Sequence, residues 1–227
     1  MITQENLYKT LVAAKAFLSE DWKSKNQAFL QDEILSFFTK QLFIQLNSTS
    51  NEPRLPYFEE EIIQDYSDAL NQFKNVFTNE NVLVEPKIVS QLLEKISFKE
   101  LLLLMGQRIT SASVQDQQAI PPLRKIVLAS CFQPLNKETT VVVKAWEKHV
   151  GRYPESIFET LKGNQKEKEI TISKQIDYII ENQTWWNVFF HYKHGLVYEI
   201  RIANGQGMRW TSNGKQFIGF LEQFLNE

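Results

Sequence analysis

The stretch from Thr184 to Leu221, TWWNVFFHYKHGLVYEIRIANGQGMRWTSNGKQFIGFL, decides the fold. Four runs rich in β-branched and aromatic residues, Thr184 to Tyr192, Leu196 to Ala203, Met208 to Ser212 and Lys215 to Leu221, are separated by Gly- and Asn-bearing turns. That texture predicts an antiparallel meander. Asn213-Gly214 is its strongest hairpin signal, because a type I′ turn needs positive φ at both central residues. A turn there sets Ser212 against Lys215 and Trp210 against Phe217. A three-residue turn at Lys193-His194-Gly195 pairs Tyr192 with Leu196 and Phe190 with Tyr198. One at Gly205-Gln206-Gly207 puts Ile202 opposite Trp210.

Strand side chains alternate between faces, so these pairings sort the meander into two sides. Phe190, Tyr198, Ile200, Ile202, Met208, Trp210 and Phe217 form the expected core side. The opposite face collects Asn187, His191, Glu199, Arg201 and Arg209 with Trp185, Phe189 and Ile218. From it come the candidate binding residues Trp185, Phe189, His191, Glu199, Arg201 and Arg209. Two guanidinium forks on one face match carboxylate or phosphate geometry, and an imidazole beside them brings proton chemistry near neutral pH. Glu199 and Arg201, two apart on one strand, also read as a solvent-exposed ion pair of about 0–1 kcal/mol.

Upstream the chain reads as helices. Leu7, Leu11, Ala14 and Leu18 form one amphipathic stripe, and a second runs from Gln27 to Leu46 before a polar loop at Asn47 to Pro53. A third helix is expected from Tyr57 to Phe77, with Glu61, Asp65 and Asp68 on one solvated or partner-docking face. Another follows Pro86. Ser97 with Glu100 three residues on predicts a capping box, and Pro121-Pro122 opens a short helix. Ser111 to Ile120 reads as a polar loop or linker. Thr139 or Thr140 caps a helix reaching Val150, Ile157 to Leu161 forms a helical turn, and Lys166 to Glu181 is a longer helix. The predicted fold is therefore α+β: a helical N-terminal majority followed by a short C-terminal antiparallel meander packed on helices. The expected organisation is a helical region at 1–135 and an α+β region at 136–227, or one compact domain of both.

The 227 residues carry 25 basic and 27 acidic side chains, a net charge of −2. That balance predicts no general affinity for nucleic acid. The lone cysteine, Cys131, permits no internal disulfide and fits a reducing compartment. No signal peptide is visible, and Leu101 to Met105 is the strongest apolar run, far short of a membrane span. A cytoplasmic protein without membrane association is expected. His191 and His194 at i, i+3 of a strand and turn are poorly placed as joint metal ligands. Gly205-Gln206-Gly207 lacks the Lys-Ser/Thr of a phosphate loop. No cofactor or metal is expected.

Three function classes follow. The first is a non-catalytic adaptor or assembly subunit with a protein partner, suggested by the many aromatics and the lack of a catalytic motif. The second is an enzyme or small-anion-binding protein built on His191, Glu199, Arg201 and Arg209. The third is nucleic-acid binding through Lys144, Lys148, His149 and Arg152 beside Trp146, where cations and an aromatic interleave.

Overall fold

The computed structural model describes residues 2–48, 54–77, 84–152 and 156–223. The chain forms two compact units. One comprises Met1–Asn51, Ile62–Ile109 and Val114–Ile120; the other comprises Glu52–Glu61, Thr110–Ser113 and Pro121–Glu227.

The first unit is helical: α1 (Gln4–Ala14), α2 (Glu20–Lys25), α3 (Asp32–Asn47), α4 (Ser67–Phe77), α5 (Pro86–Lys95) and α6 (Phe98–Leu104). Its core is built from the predicted stripes, with Leu7, Leu11, Phe38, Leu42, Phe73 and Leu93 almost inaccessible to solvent. Ser97 and Glu100 form the expected reciprocal capping box at α6. The third helix is shorter than the periodicity suggested. Residues 57–66 are irregular and α4 begins at Ser67, so Glu61 and Asp65 lie outside it and share no helical face with Asp68. The polar loop after Leu46 runs into residues 49–53, outside the described residues.

The second unit contains α7 (Arg124–Cys131), α8 (Val141–Glu147), α9 (Gln165–Glu181) and the sheet β1 (Gln183–His191), β2 (Gly195–Ile202), β3 (Gly207–Thr211) and β4 (Phe217–Leu221). The strands pair antiparallel in sequence order. Asn164 and Glu167 make a capping box that starts α9, whose Ile172, Ile176 and Ile179 are buried. The Val141-Val142-Val143 run is helical despite its β-branching, because Val142, Val143 and Trp146 then bury on one side. Residues 157–161 form no helix.

The meander appears within a residue or two of the predicted strands, but two registers differ. Phe190 pairs with Leu196 rather than Tyr198, and Trp210 pairs with Tyr198 rather than Ile202. These slips are of two and four residues, so every side chain keeps its predicted face; an odd slip would have exchanged the faces. The Trp210–Phe217 pairing is as expected, followed by a bulge that takes in Ile218. The turn before it is not type I′. Among the described residues none other than glycine has positive φ, and Thr211 and Gln216 instead close a four-residue loop in which Gly214, at φ +71°, alone turns left-handed. On the core face Tyr198 stacks on Trp210 across the strands at 5.9 Å, worth roughly 0.2–1 kcal/mol beyond burial. Phe190 departs from the core assignment: at the end of β1 it is 64% exposed.

Candidate active site

The opposite face of the sheet is not the solvated surface that the Glu199–Arg201 spacing suggested. Register places Asn187, Glu199 and Arg209 in one row across β1, β2 and β3, and Trp185, Arg201 and Gly207 in the next. Glu199 is the middle residue of the first row, two positions along β2 from Arg201, and its side chain is only 3% exposed. Both of its oxygens are engaged. Arg201 Nε donates to Oε1 at 2.6 Å, and Arg209 Nε donates to Oε2 at 2.6 Å.

A carboxylate removed from water is expensive unless cations and hydrogen bonds replace its hydration. Here two guanidinium groups do so. Arg201 is itself buried, and burial draws its pKa down while Glu199 opposes that change. Its Nη1 donates to the carbonyls of Gly205 and Glu222, while Glu199 supplies the counter-charge. Gly207 makes room for it: a Cβ there would lie 2.0 Å from the Ile200 carbonyl oxygen and 2.8 Å from Arg201 Cγ. Arg209 is more accessible and its guanidinium carbon sits 5.7 Å from the centre of the Phe189 ring, within cation–π range.

His191 ends β1 on the same face. Its pKa is lowered, first by burial and then by the positive charges of Arg209 and His194, with Glu199 opposing. The Lys193 amide donates to His191 Nδ1 at 3.2 Å, which favours the neutral ring in the same sense. The turn also brings the His191 and His194 rings to a stacked 4.9 Å, not to opposite sides as simple strand alternation implied. Among the described residues there is no group of three or more His, Cys, Asp or Glu side chains placed to hold a metal ion.

All six candidate residues, Trp185, Phe189, His191, Glu199, Arg201 and Arg209, line one pocket of about 540 Å³ within the second unit. Phe190 and Tyr192 line it too, and the rest of its wall comes from far away in sequence: Phe58 and Glu60 on one segment, Thr110, Ser111 and Ala112 on another. The second segment is anchored along β1. Phe190 N–H donates to the Ala112 carbonyl at 3.0 Å, and Asn187 Nδ2 donates to Ser113 Oγ at 2.7 Å. Phe58 packs edge-on against Trp185 at 6.2 Å. No sequence signal linked these segments to the sheet; Phe58 and Glu60 fell within the expected third helix, and Ser111 within a polar loop.

The basic edge beside Trp146 changes character. Trp146 is 1% exposed, with its Nε1 donating to the Glu159 carbonyl at 2.8 Å, so it offers nucleic acid no stacking face beside Lys144 and Lys148. His149 meets Glu222 at 2.6 Å. Cys131 is buried, and burial pushes its thiol up to about 12, far from nucleophilic use.

The sheet face therefore presents a buried carboxylate between two guanidinium groups, an imidazole whose charged form is disfavoured, and an aromatic-lined hollow. This is a set suited to binding an anion and moving protons beside it. No helix among the described residues is long and apolar enough to cross a membrane. No curated protein and no solved structure matches the chain. A family model does: the CdiA C-terminal tRNase toxin domain matches residues 128–222, less than half of the chain but all four strands and every sheet residue of the pocket. This match points to a nuclease toxin and overturns the expectation of a non-catalytic adaptor defined by protein–protein interaction.

Proposed function

We propose that the second unit is a toxic ribonuclease that acts on tRNA and that the pocket on the β1–β3 face is its active site. The observation that carries this reading is the Arg201–Glu199–Arg209 cluster with His191 beside it, lying inside the segment that resembles a tRNase toxin domain.

Cleaving RNA by its own 2′-hydroxyl needs three things: removal of the 2′ proton, compensation of charge on the phosphorus oxygens, and a proton for the departing 5′ oxygen. Glu199 is the carboxylate placed to accept the first proton. Arg209, the more accessible of its partners, supplies the cation for the phosphate. His191 delivers the last proton. The 2′ oxygen bonds to phosphorus as the phosphorus–O5′ bond breaks, leaving a 2′,3′-cyclic phosphate and a 5′-hydroxyl. In the free protein burial and Arg209 disfavour the charged ring of His191, and the negative charge of a bound phosphodiester favours its protonation.

The net charge of −2 is no obstacle, because the field that acts on a phosphate is local to the cleft. A protein partner also fits: a toxic nuclease has to be kept from RNA in the cell that makes it. The test is to incubate the purified chain with total tRNA and determine the new ends. Fragments with 5′-hydroxyl termini and cyclic phosphates support the reading; intact tRNA, or fragments bearing 5′-phosphates, contradicts it.

A further inference from the structure

The β1–β2 turn carries a side chain that the chemistry above does not use. Tyr192 is 86% exposed, the most exposed of the large apolar residues among those described, yet it lines the pocket. Its ring stacks on that of His191, with centroids 4.8 Å apart and planes inclined by 27°. Lys193 Nζ lies 5.2 Å from the Tyr192 centroid. An aromatic ring left in water costs the fold nothing to lose and buries little. One ring face held against the proton-transfer residue leaves the remainder open beside the reacting phosphate.

Resting on the ribonuclease reading, we propose that Tyr192 is a nucleobase-binding residue: it stacks one base flanking the scissile phosphate, with Lys193 on the adjoining backbone. Every base has a π-face, so the platform takes single-stranded, unpaired nucleotides without strict sequence choice. It selects an unstacked loop or end of an RNA over a paired stem. Tyr192 acts on binding and register; the proton steps remain with His191 and Glu199.

The experiment compares wild type, Tyr192→Ala, Tyr192→Phe and His191→Ala in two assays: cleavage of total tRNA, and binding of a 2′-O-methylated RNA hexamer that cannot be cleaved. Base–aromatic stacking predicts that Tyr192→Ala raises KM and weakens hexamer binding by roughly 10–100-fold. Tyr192→Phe keeps the ring and matches wild type, which a loss of hydroxyl hydrogen bonding or of turn structure does not reproduce. His191→Ala loses cleavage but still binds the hexamer. If wild type cleaves and Tyr192→Ala shows unchanged KM and unchanged hexamer binding, the stacking role is overturned while the ribonuclease reading stands. If His191→Ala cleaves like wild type, the active-site assignment falls, and with it the role of its neighbour.

Discussion

Glu199 and Arg209 face each other across β2 and β3 and join at 2.6 Å, while the other oxygen of the same carboxylate is held by Arg201. One buried anion thus orders two cations, and stability and chemistry are tied to the same side chain. Glu199→Ala leaves two largely buried guanidinium groups without their counter-charge. Breaking such an arrangement costs about 3–5 kcal/mol, and we expect a loss of that order in urea unfolding. Glu199→Gln keeps the volume and loses less stability, but forfeits proton acceptance; its rate should fall about 10²–10⁴-fold.

Arg209 is the less buried of the two guanidinium groups on Glu199. Arg209→Ala should weaken RNA binding and flatten its salt dependence, lowering the slope of log K against log salt by roughly one phosphate contact. Affinities measured across a salt series check this; parallel wild-type and variant lines would remove Arg209 from the phosphate.

His191 provides the pH signature. Its folded pKa lies below the ordinary histidine value because burial and Arg209 disfavour its charge. Below about pH 6.5 the unfolded chain therefore binds the proton more readily than the folded one. Stability contributed by this group is full at higher pH and is lost as pH falls from the unfolded value through the lowered folded one. As the proton donor, the same group makes kcat/KM decline as pH rises through its folded pKa. An NMR titration should give a midpoint below 6.5 for the free protein and a higher one with inorganic phosphate bound.

Gly207 tests the packing beneath the site. A methyl group there meets the Ile200 carbonyl and Arg201, so Gly207→Ala should cost about 1–3 kcal/mol by overpacking and displace Arg201 from Glu199. Thermal unfolding with a parallel cleavage assay measures both effects; a variant as stable and active as wild type would show that the strand yields freely.

Cys131 should be inert. With its thiol near 12 and no solvent access, alkylation by iodoacetamide at pH 7.5 should leave the folded protein unlabelled and modify one site after unfolding, as mass spectrometry can count.

Much of this site was legible in the sequence, and the reason is parity. The two misjudged registers in the meander slipped by even numbers of residues, so Glu199, Arg201, Arg209 and His191 stayed on one face. What alternation does not report is depth. Charged residues on a face opposite the core read as solvated, whereas Phe58 and the 110–113 segment cover part of that face and make the Glu199–Arg201 pair a buried one. Those covering residues lie more than 70 positions from the strands they touch, beyond the reach of periodicity or turn chemistry. The third helix failed for a related reason: Phe58, Ile62 and Tyr66 have helical spacing with Leu70, but Phe58 is committed to Trp185 and the chain stays irregular until Ser67. Function was less visible still, since the proposed catalytic set is assembled by strand register rather than by any contiguous motif.

The most direct test of the central claim is the rate of tRNA cleavage by wild type, His191→Ala and Glu199→Gln, each verified as folded by circular dichroism. We predict defined cleavage by wild type and a loss of at least about 100-fold in both variants. Cleavage by both at the wild-type rate, or none by the wild type, would contradict the assignment of this pocket as a ribonuclease active site.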